Sequence, residues 1–130
     1  DFTIQDVKFE SQGITLAGSI LIPKKTFTAV VIVHGSDPVK REIEFAKRLA
    51  KEGIAVLTYD KRGVGESGGV YVGPSVGTNN IDTTNLNLLS EDASAGVNTF
   101  RTYLKDKKTS IGLIGFSQAG WVIPLAASKP

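Results

Sequence analysis

The stretch Thr109–Ala127, TSIGLIGFSQAGWVIPLAA, admits few backbone courses. Ile111, Leu113 and Ile114 form a short apolar run of strand type, and Gly115-Phe116-Ser117-Gln118-Ala119-Gly120 follows at once. Small residues stand two before and two after the serine, at Gly115 and Ala119. Where a strand gives way to a helix within about a residue, the two backbones nearly touch beside the turn, and side chains larger than a methyl collide. The residue at the apex is held in a strained conformation with its side chain pushed out at the C-terminal end of the strand. Ser117 occupies that apex, and the free N–H groups of the following helix favour negative charge developing beside it. Pro124 has no N–H for the Gly120 carbonyl, so a kink or early shift is expected in the final helix.

The rest of the chain supplies a frame for such a turn. Phe2, Ile4, Val7 and Phe9 alternate imperfectly, Ser11-Gln12-Gly13 reads as a turn, and Ile14, Leu16, Ile20 and Ile22 recur at even spacing up to Pro23. Two alternating segments around a tight turn predict an antiparallel hairpin at a sheet edge. Ala29–Val33 is continuous and mostly β-branched, the pattern of a strand buried on both faces, and Ile54–Leu57 is a second such run. Between them, Ile43, Ala46, Leu49 and Ala50 share one side of a helix predicted over Val39–Glu52, with Glu44 and Arg48 spaced i,i+4 on the other and Gly53 as its stop. From Lys61 to about Leu88 the chain reads as a long loop, with seven glycines or prolines between Gly63 and Gly77. Ser90, Glu91 and Asp92 read as an N-cap and acidic first turn of a helix that carries Leu89, Ala93, Val97, Phe100 and Leu104 at helical spacing. Lys105, Lys107 and Lys108 fall where that helix ends and suit its negative pole. Strands alternating with helices predict an α/β fold: a doubly wound, mostly parallel sheet with an N-terminal antiparallel hairpin, forming one domain over residues 1–130.

Composition removes several function classes. A net charge of +2 with dispersed lysines argues against a nucleic-acid or acidic-membrane partner. No cysteine is present, which excludes disulfides and thiolate metal sites, and no residue cluster suggests a metal or an organic cofactor. No apolar run approaches the roughly 18 residues of a membrane span. The chain contains no methionine, so its first residue is expected to lie downstream of the initiator, and cytoplasm and export after signal-peptide removal stay equally open.

Ligands of doubly wound sheets bind at the C-terminal ends of the strands, and three polar segments fall there: His34-Gly35-Ser36, Asp60-Lys61-Arg62 and Ser117. Gly63–Gly68 matches the G-x-G-x-x-G pattern, but Gly69, Gly73, Pro74 and Gly77 follow, so no helix opens to hold a pyrophosphate and a dinucleotide site is rejected. Taken together, the His34-Gly35-Ser36 loop, the segment Tyr59-Asp60-Lys61-Arg62-Gly63-Val64-Gly65-Glu66-Ser67 and the Gly115–Gly120 turn resemble the α/β-hydrolase superfamily, and within it bacterial serine esterases and acyl-peptidase-like members. The sequence departs from the family pattern at Ala119, where glycine is usual, and at Asp37, where the loop is more often glycine-rich. The resemblance spans about Ala29–Ala127 and implies a fold and a set of roles. Ser117 would be the catalytic nucleophile of a nucleophile elbow. The backbone N–H of Gln118, with that of Ser36 or Gly35, would form the oxyanion hole. His34, Asp60 and Arg62 would be structural residues near the site, with the His34 ring bonded within its own loop and Asp60 and Arg62 satisfying loop backbone and each other. Phe116 and Trp121 would either line an acyl pocket or belong to the core. The substrate would be a small ester, thioester or amide.

Two triad members are missing from that picture. The family places an acidic residue and then a histidine after the nucleophile, yet only 13 residues follow Ser117 and none is acidic or histidine. His34, the one histidine, lies 83 residues before the serine. The chain is therefore expected to be the N-terminal part of a longer hydrolase domain, truncated after the elbow helix. Alone, it is expected to be inactive, and to be poorly stable or self-associating through the exposed edge of the Ile111–Ile114 strand. The alternative reading is a non-catalytic binding module built on the same scaffold.

Overall fold

The computed structural model describes residues 1–35, 37–71, 83–115 and 119–127, with side chains at all of these except 83–85, 119–121 and 125. Two ten-residue strands, β1 (Phe2–Ser11) and β2 (Ile14–Pro23), pair antiparallel along their whole length. Their two-residue connection puts Gln12 at φ 48° and Gly13 at φ 78°. Left-handed backbone at both positions matches the twist of the flanking strands, and glycine accommodates it at the second. β3 (Thr28–Val33), α1 (Ile43–Lys51) and β4 (Ile54–Tyr59) follow, then α2 (Thr83–Tyr103), β5 (Ile111–Gly115) and α3 (Ala119–Ala127). The sheet runs β1-β2-β4-β3-β5. It is mixed: β2 is antiparallel to both neighbours, whereas β3 lies parallel to β4 and to β5.

Alternation along the strands feeds opposite faces. Leu16, Ile20, Val31, Leu57 and Tyr59 join Phe100 and Leu104 of α2 in the largest core, where the Phe9 and Tyr59 rings meet edge-on at 5.7 Å. Val33 continues that face into a second cluster with Leu86, Leu89 and Ala93 of α2 and Val122 and Ala126 of α3. On the opposite face, Leu21, Ile32 and Val56 pack on Ala46 and Ala50 of α1. The sheet is thus covered by α1 on one side and by α2 and α3 on the other, and this explains why the predicted runs in β3 and β4 are apolar without alternation. β5 is only half-buried, having β3 as its one neighbour among the described strands. No helix among the described residues is long and apolar enough to cross a membrane.

Several expectations need correction. The first helix starts at Ile43 rather than Val39. The N–H of Arg41 is bound to Asp60 Oδ1 at 2.8 Å and that of Glu42 to Thr58 Oγ1 at 2.6 Å, so the end of β4 holds this segment off a helical course. Helix α2 begins at Thr83, so Ser90 lies inside it and bonds the Asn87 carbonyl at 2.9 Å instead of capping an N-terminus. Glu44 pairs with Lys47 at 3.6 Å, while Arg48 lies over the Phe45 ring. At the far end of α2, Lys107 donates to the carbonyls of Arg101 and Thr102 at 3.2 and 2.8 Å, satisfying groups the last turn leaves open. Helix α3 runs through Pro124; Gly120, whose carbonyl loses a partner to it, is already in the first turn.

Candidate active site

Because β3, β4 and β5 are parallel, their C-terminal ends share one edge of the sheet. There β3 runs out at Val33 into His34-Gly35, β4 at Tyr59 into Asp60-Lys61-Arg62, and β5 ends at Gly115, shortly before α3. Three residues separate Gly115 from Ala119, and Ser117 is the middle one. Ser36, Phe116, Ser117 and Gln118 lie outside the described residues, as does the side chain of Trp121.

His34 is buried, with its ring edge-on to that of Tyr59 at 4.5 Å. Its Nε2 is hydrogen-bonded to the Tyr59 carbonyl. A carbonyl only accepts, so the neutral ring carries its proton on Nε2. The bond therefore crosses to the next strand of the sheet and is not made within the histidine's own loop. Burial, reinforced by the Lys61 charge, lowers the pKa of His34 to about 4 against the opposing pull of the Tyr59 carbonyl and Asp60.

The two charged residues flanking Lys61 do not pair with each other. Asp60 receives Arg41 through Nε to Oδ1 at 3.1 Å and Nη2 to Oδ2 at 3.0 Å, together with the N–H of Glu66 at 2.9 Å. Burial alone would raise the Asp60 pKa; Arg41 and the two backbone N–H donors outweigh it and hold the carboxyl below its ordinary value. Arg41 also reaches the Gly18 carbonyl at 3.1 Å and Glu66 at 2.7 Å, tying the hairpin to the loop after β4. Arg62 turns instead to Asp92 of α2, with Nε to Oδ2 at 2.9 Å and Nη2 to Oδ1 at 3.0 Å, and the Ser11 hydroxyl adds a third bond to that carboxylate at 2.6 Å. Planar guanidinium forks account for both pairings.

The glycine-rich segment after Arg62 is a closed turn. Gly63 N–H bonds the Gly68 carbonyl at 2.8 Å, and the Ser67 hydroxyl donates to the Asp60 carbonyl at 2.6 Å while accepting the Ala17 N–H at 2.9 Å. Gly63 has φ +76°, and a Cβ there would stand 2.0 Å from the Tyr71 nitrogen. Glycine is needed both for the left-handed backbone and for the close approach.

Two residues at this edge escape a reading by motif. Arg41 is hidden by the helical pattern it interrupts. Lys61 is buried, and its Nζ donates to the Gly35 carbonyl at 2.8 Å with the Tyr71 ring centroid 5.5 Å away. Burial lowers its pKa to about 8, partly offset by Asp37. The one hint in the sequence is a lysine two residues past a buried strand. Among the described residues no group of three or more His, Asp or Glu is arranged to hold a metal.

A mixed sheet in this order, with helices on both faces and β5 and α3 only three residues apart, is the fold of an α/β-hydrolase. Residues 24–129 match the model of the family described as serine aminopeptidase, S33, and the chain belongs to that family. A Synechocystis sp. protein whose name assigns it to the carboxymethylenebutenolidases is 29% identical over 131 aligned positions, which take in 95% of this chain and 53% of the relative. The Pyrococcus furiosus esterase Pf2001 superposes with a TM-score of 0.69 at 28% identity, over 95% of this chain and 46% of the esterase. Est1E from Butyrivibrio proteoclasticus, solved with bound ferulic acid, gives 0.69 at 25% identity over 93% and 46% of the two chains. The chain thus spans about half the length of these relatives.

Proposed function

We propose that this chain is the N-terminal part of a serine hydrolase domain that cleaves small carboxylic esters, thioesters or amides through an acyl-enzyme on Ser117. The observation that supports this most is the three-residue interval between β5 and α3, on the same sheet edge as the His34-Gly35 loop. In this reading Ser117 attacks the substrate carbonyl. The tetrahedral oxyanion is bound by the N–H of Gln118 and that of Ser36 or Gly35. Collapse expels the alcohol, thiol or amine, and water then hydrolyses the acyl-enzyme. The proton acceptor is a histidine beyond residue 130, oriented by a carboxylate also beyond it. His34 is unsuited to that work, because its Nε2 proton is committed to Tyr59 and its low pKa makes it a poor base. The esterase name of Pf2001, the carboxymethylenebutenolidase name of the Synechocystis protein and the ferulic acid bound to Est1E favour a small organic ester as substrate. The fragment by itself self-associates along β5, whose outer edge has no described strand beside it.

A fluorophosphonate probe tests the reading on the full-length protein. Ser117 is labelled in the wild type, and Ser117→Ala abolishes both labelling and ester turnover. Labelling that survives the substitution assigns the nucleophile elsewhere. A full-length protein that takes no label and turns over no ester points to the non-catalytic module.

A further inference from the structure

The loop after β3 is tethered at two successive residues to the chain leaving β4: the His34 ring to the Tyr59 carbonyl, and the Gly35 carbonyl to Nζ of Lys61, two residues further on, at 2.8 Å. The second tether is unusual in kind. Lys61 is only 2% exposed, and lysine is seldom buried so fully. Its backbone is itself fixed, with the Lys61 N–H on the Val39 carbonyl at 3.0 Å and the Lys61 carbonyl accepting from Val64 at 2.8 Å. From a backbone held at both its N–H and its carbonyl, the Lys61 ammonium thus reaches the Gly35 carbonyl.

We propose that Lys61 is a positioning residue for the oxyanion hole: by gripping the Gly35 carbonyl it fixes the peptide plane that leaves Gly35, and so the direction in which the loop offers its N–H to substrate. The carbonyl and N–H of a trans peptide point to opposite sides of one rigid plane. Glycine, lacking Cβ, would otherwise leave that plane free to turn over. A donor fixed before reaction is what stabilisation of a developing oxyanion requires, since no reorganisation then opposes the chemical step. The charge on Lys61 adds to this. An ammonium on the carbonyl polarises the amide and strengthens its N–H as a donor. The inference rests on the Ser117 hydrolase reading and deepens it.

The test uses the full-length protein, with turnover expressed per fluorophosphonate-titrated site so that loss of folded material drops out. Lys61→Met keeps the length and removes the grip. Its kcat per titrated site is expected to fall about 10-fold or more, with KM within about twofold. Affinity for a trifluoromethyl ketone that forms the oxyanion adduct should fall in parallel, while affinity for the product acid is held. A residue that only stabilises the fold would lower the number of titratable sites and leave kcat per site alone, and that result overturns the proposal. If Lys61→Met yields no folded protein, Lys61→Gln, which restores a neutral donor on a shorter arm, is expected to show a smaller kcat loss in the same pattern; unchanged kcat per site in that variant overturns it equally. Loss of the parent reading is recognised separately, by turnover that survives Ser117→Ala, and it removes the inference as well.

Discussion

Removing one half of the Arg62–Asp92 pair should be far more damaging than removing both. Asp92 is 2% exposed at its side chain and Arg62 10%, and they share two nearly parallel bonds of 2.9 and 3.0 Å. The Ser11 hydroxyl occupies part of the remaining capacity of the carboxylate. Asp92→Leu leaves a guanidinium facing an apolar wall, and Arg62→Met leaves a carboxylate with a single hydroxyl donor. Each uncompensated charge costs roughly 3–5 kcal/mol. The double variant buries neither charge; its cost is that of imperfect packing and of the freed Ser11 hydroxyl, about 1–3 kcal/mol. Urea unfolding of the four proteins, followed by far-ultraviolet circular dichroism, measures the cycle. The expected coupling is at least about 2 kcal/mol, with the double variant more stable than the sum of the singles demands. Additive single costs under about 1 kcal/mol each would refute the reasoning, because they would mean that water already reaches both charges.

Other perturbations separate the remaining claims. Gly63→Ala meets both a left-handed φ and the Tyr71 backbone at 2.0 Å, whereas at Gly13, with φ +78°, nothing lies within 4 Å; we expect about 1 kcal/mol at Gly13 and clearly more at Gly63 by the same urea assay. Comparable losses would remove the close approach from the argument. His34 makes stability depend on acid: its pKa is about 4 folded against 6.5 unfolded, so its contribution is complete above pH 6.5 and is lost as pH falls towards 4, by roughly 3 kcal/mol in all. That slope should be missing from the unfolding free energy of His34→Gln. Arg41→Ala strips Asp60 of its fork, and an expected loss of about 2–4 kcal/mol should be less than half recovered by Arg41→Lys, since a single ammonium cannot serve both carboxylate oxygens and the Gly18 carbonyl. Full recovery would show that charge alone matters there.

What could be read from the residues, and what could not, follows from the range of the interactions. The hairpin was legible because Gln12-Gly13 is a local turn signal between alternating segments, and β3 and β4 because strands covered on both faces are apolar throughout. The spacing of Gly115 and Ala119 about Ser117 is likewise local, and the strand and helix predicted on either side of it are β5 and α3. The charge pairings are not local. Asp60 and Arg62 look like partners on paper, yet Asp60 is met by a residue 19 positions earlier and Arg62 by one 30 positions later. Asp92 shows the cost of the local view: beside Ser90 and Glu91 it imitates a helix start, while its position inside α2 answers a guanidinium from another loop. Nothing near Lys61 in sequence announces Gly35 as its acceptor.

The placement of β3 between β4 and β5 has a consequence for the chain as it is made. Ala29 pairs with Ala55 on one side and with Ile111 on the other, so the second partner follows the first by 56 residues. At ribosomal rates of about 5–20 residues per second that gap is roughly 3–11 s. β4 waits for nothing, since β2 and β3 both precede it. An interior strand of the finished sheet is therefore, for several seconds of every synthesis, an uncovered parallel edge of Val30, Val31 and Ile32. Whatever guards the nascent protein against wrong pairing must act in that interval and on that strand.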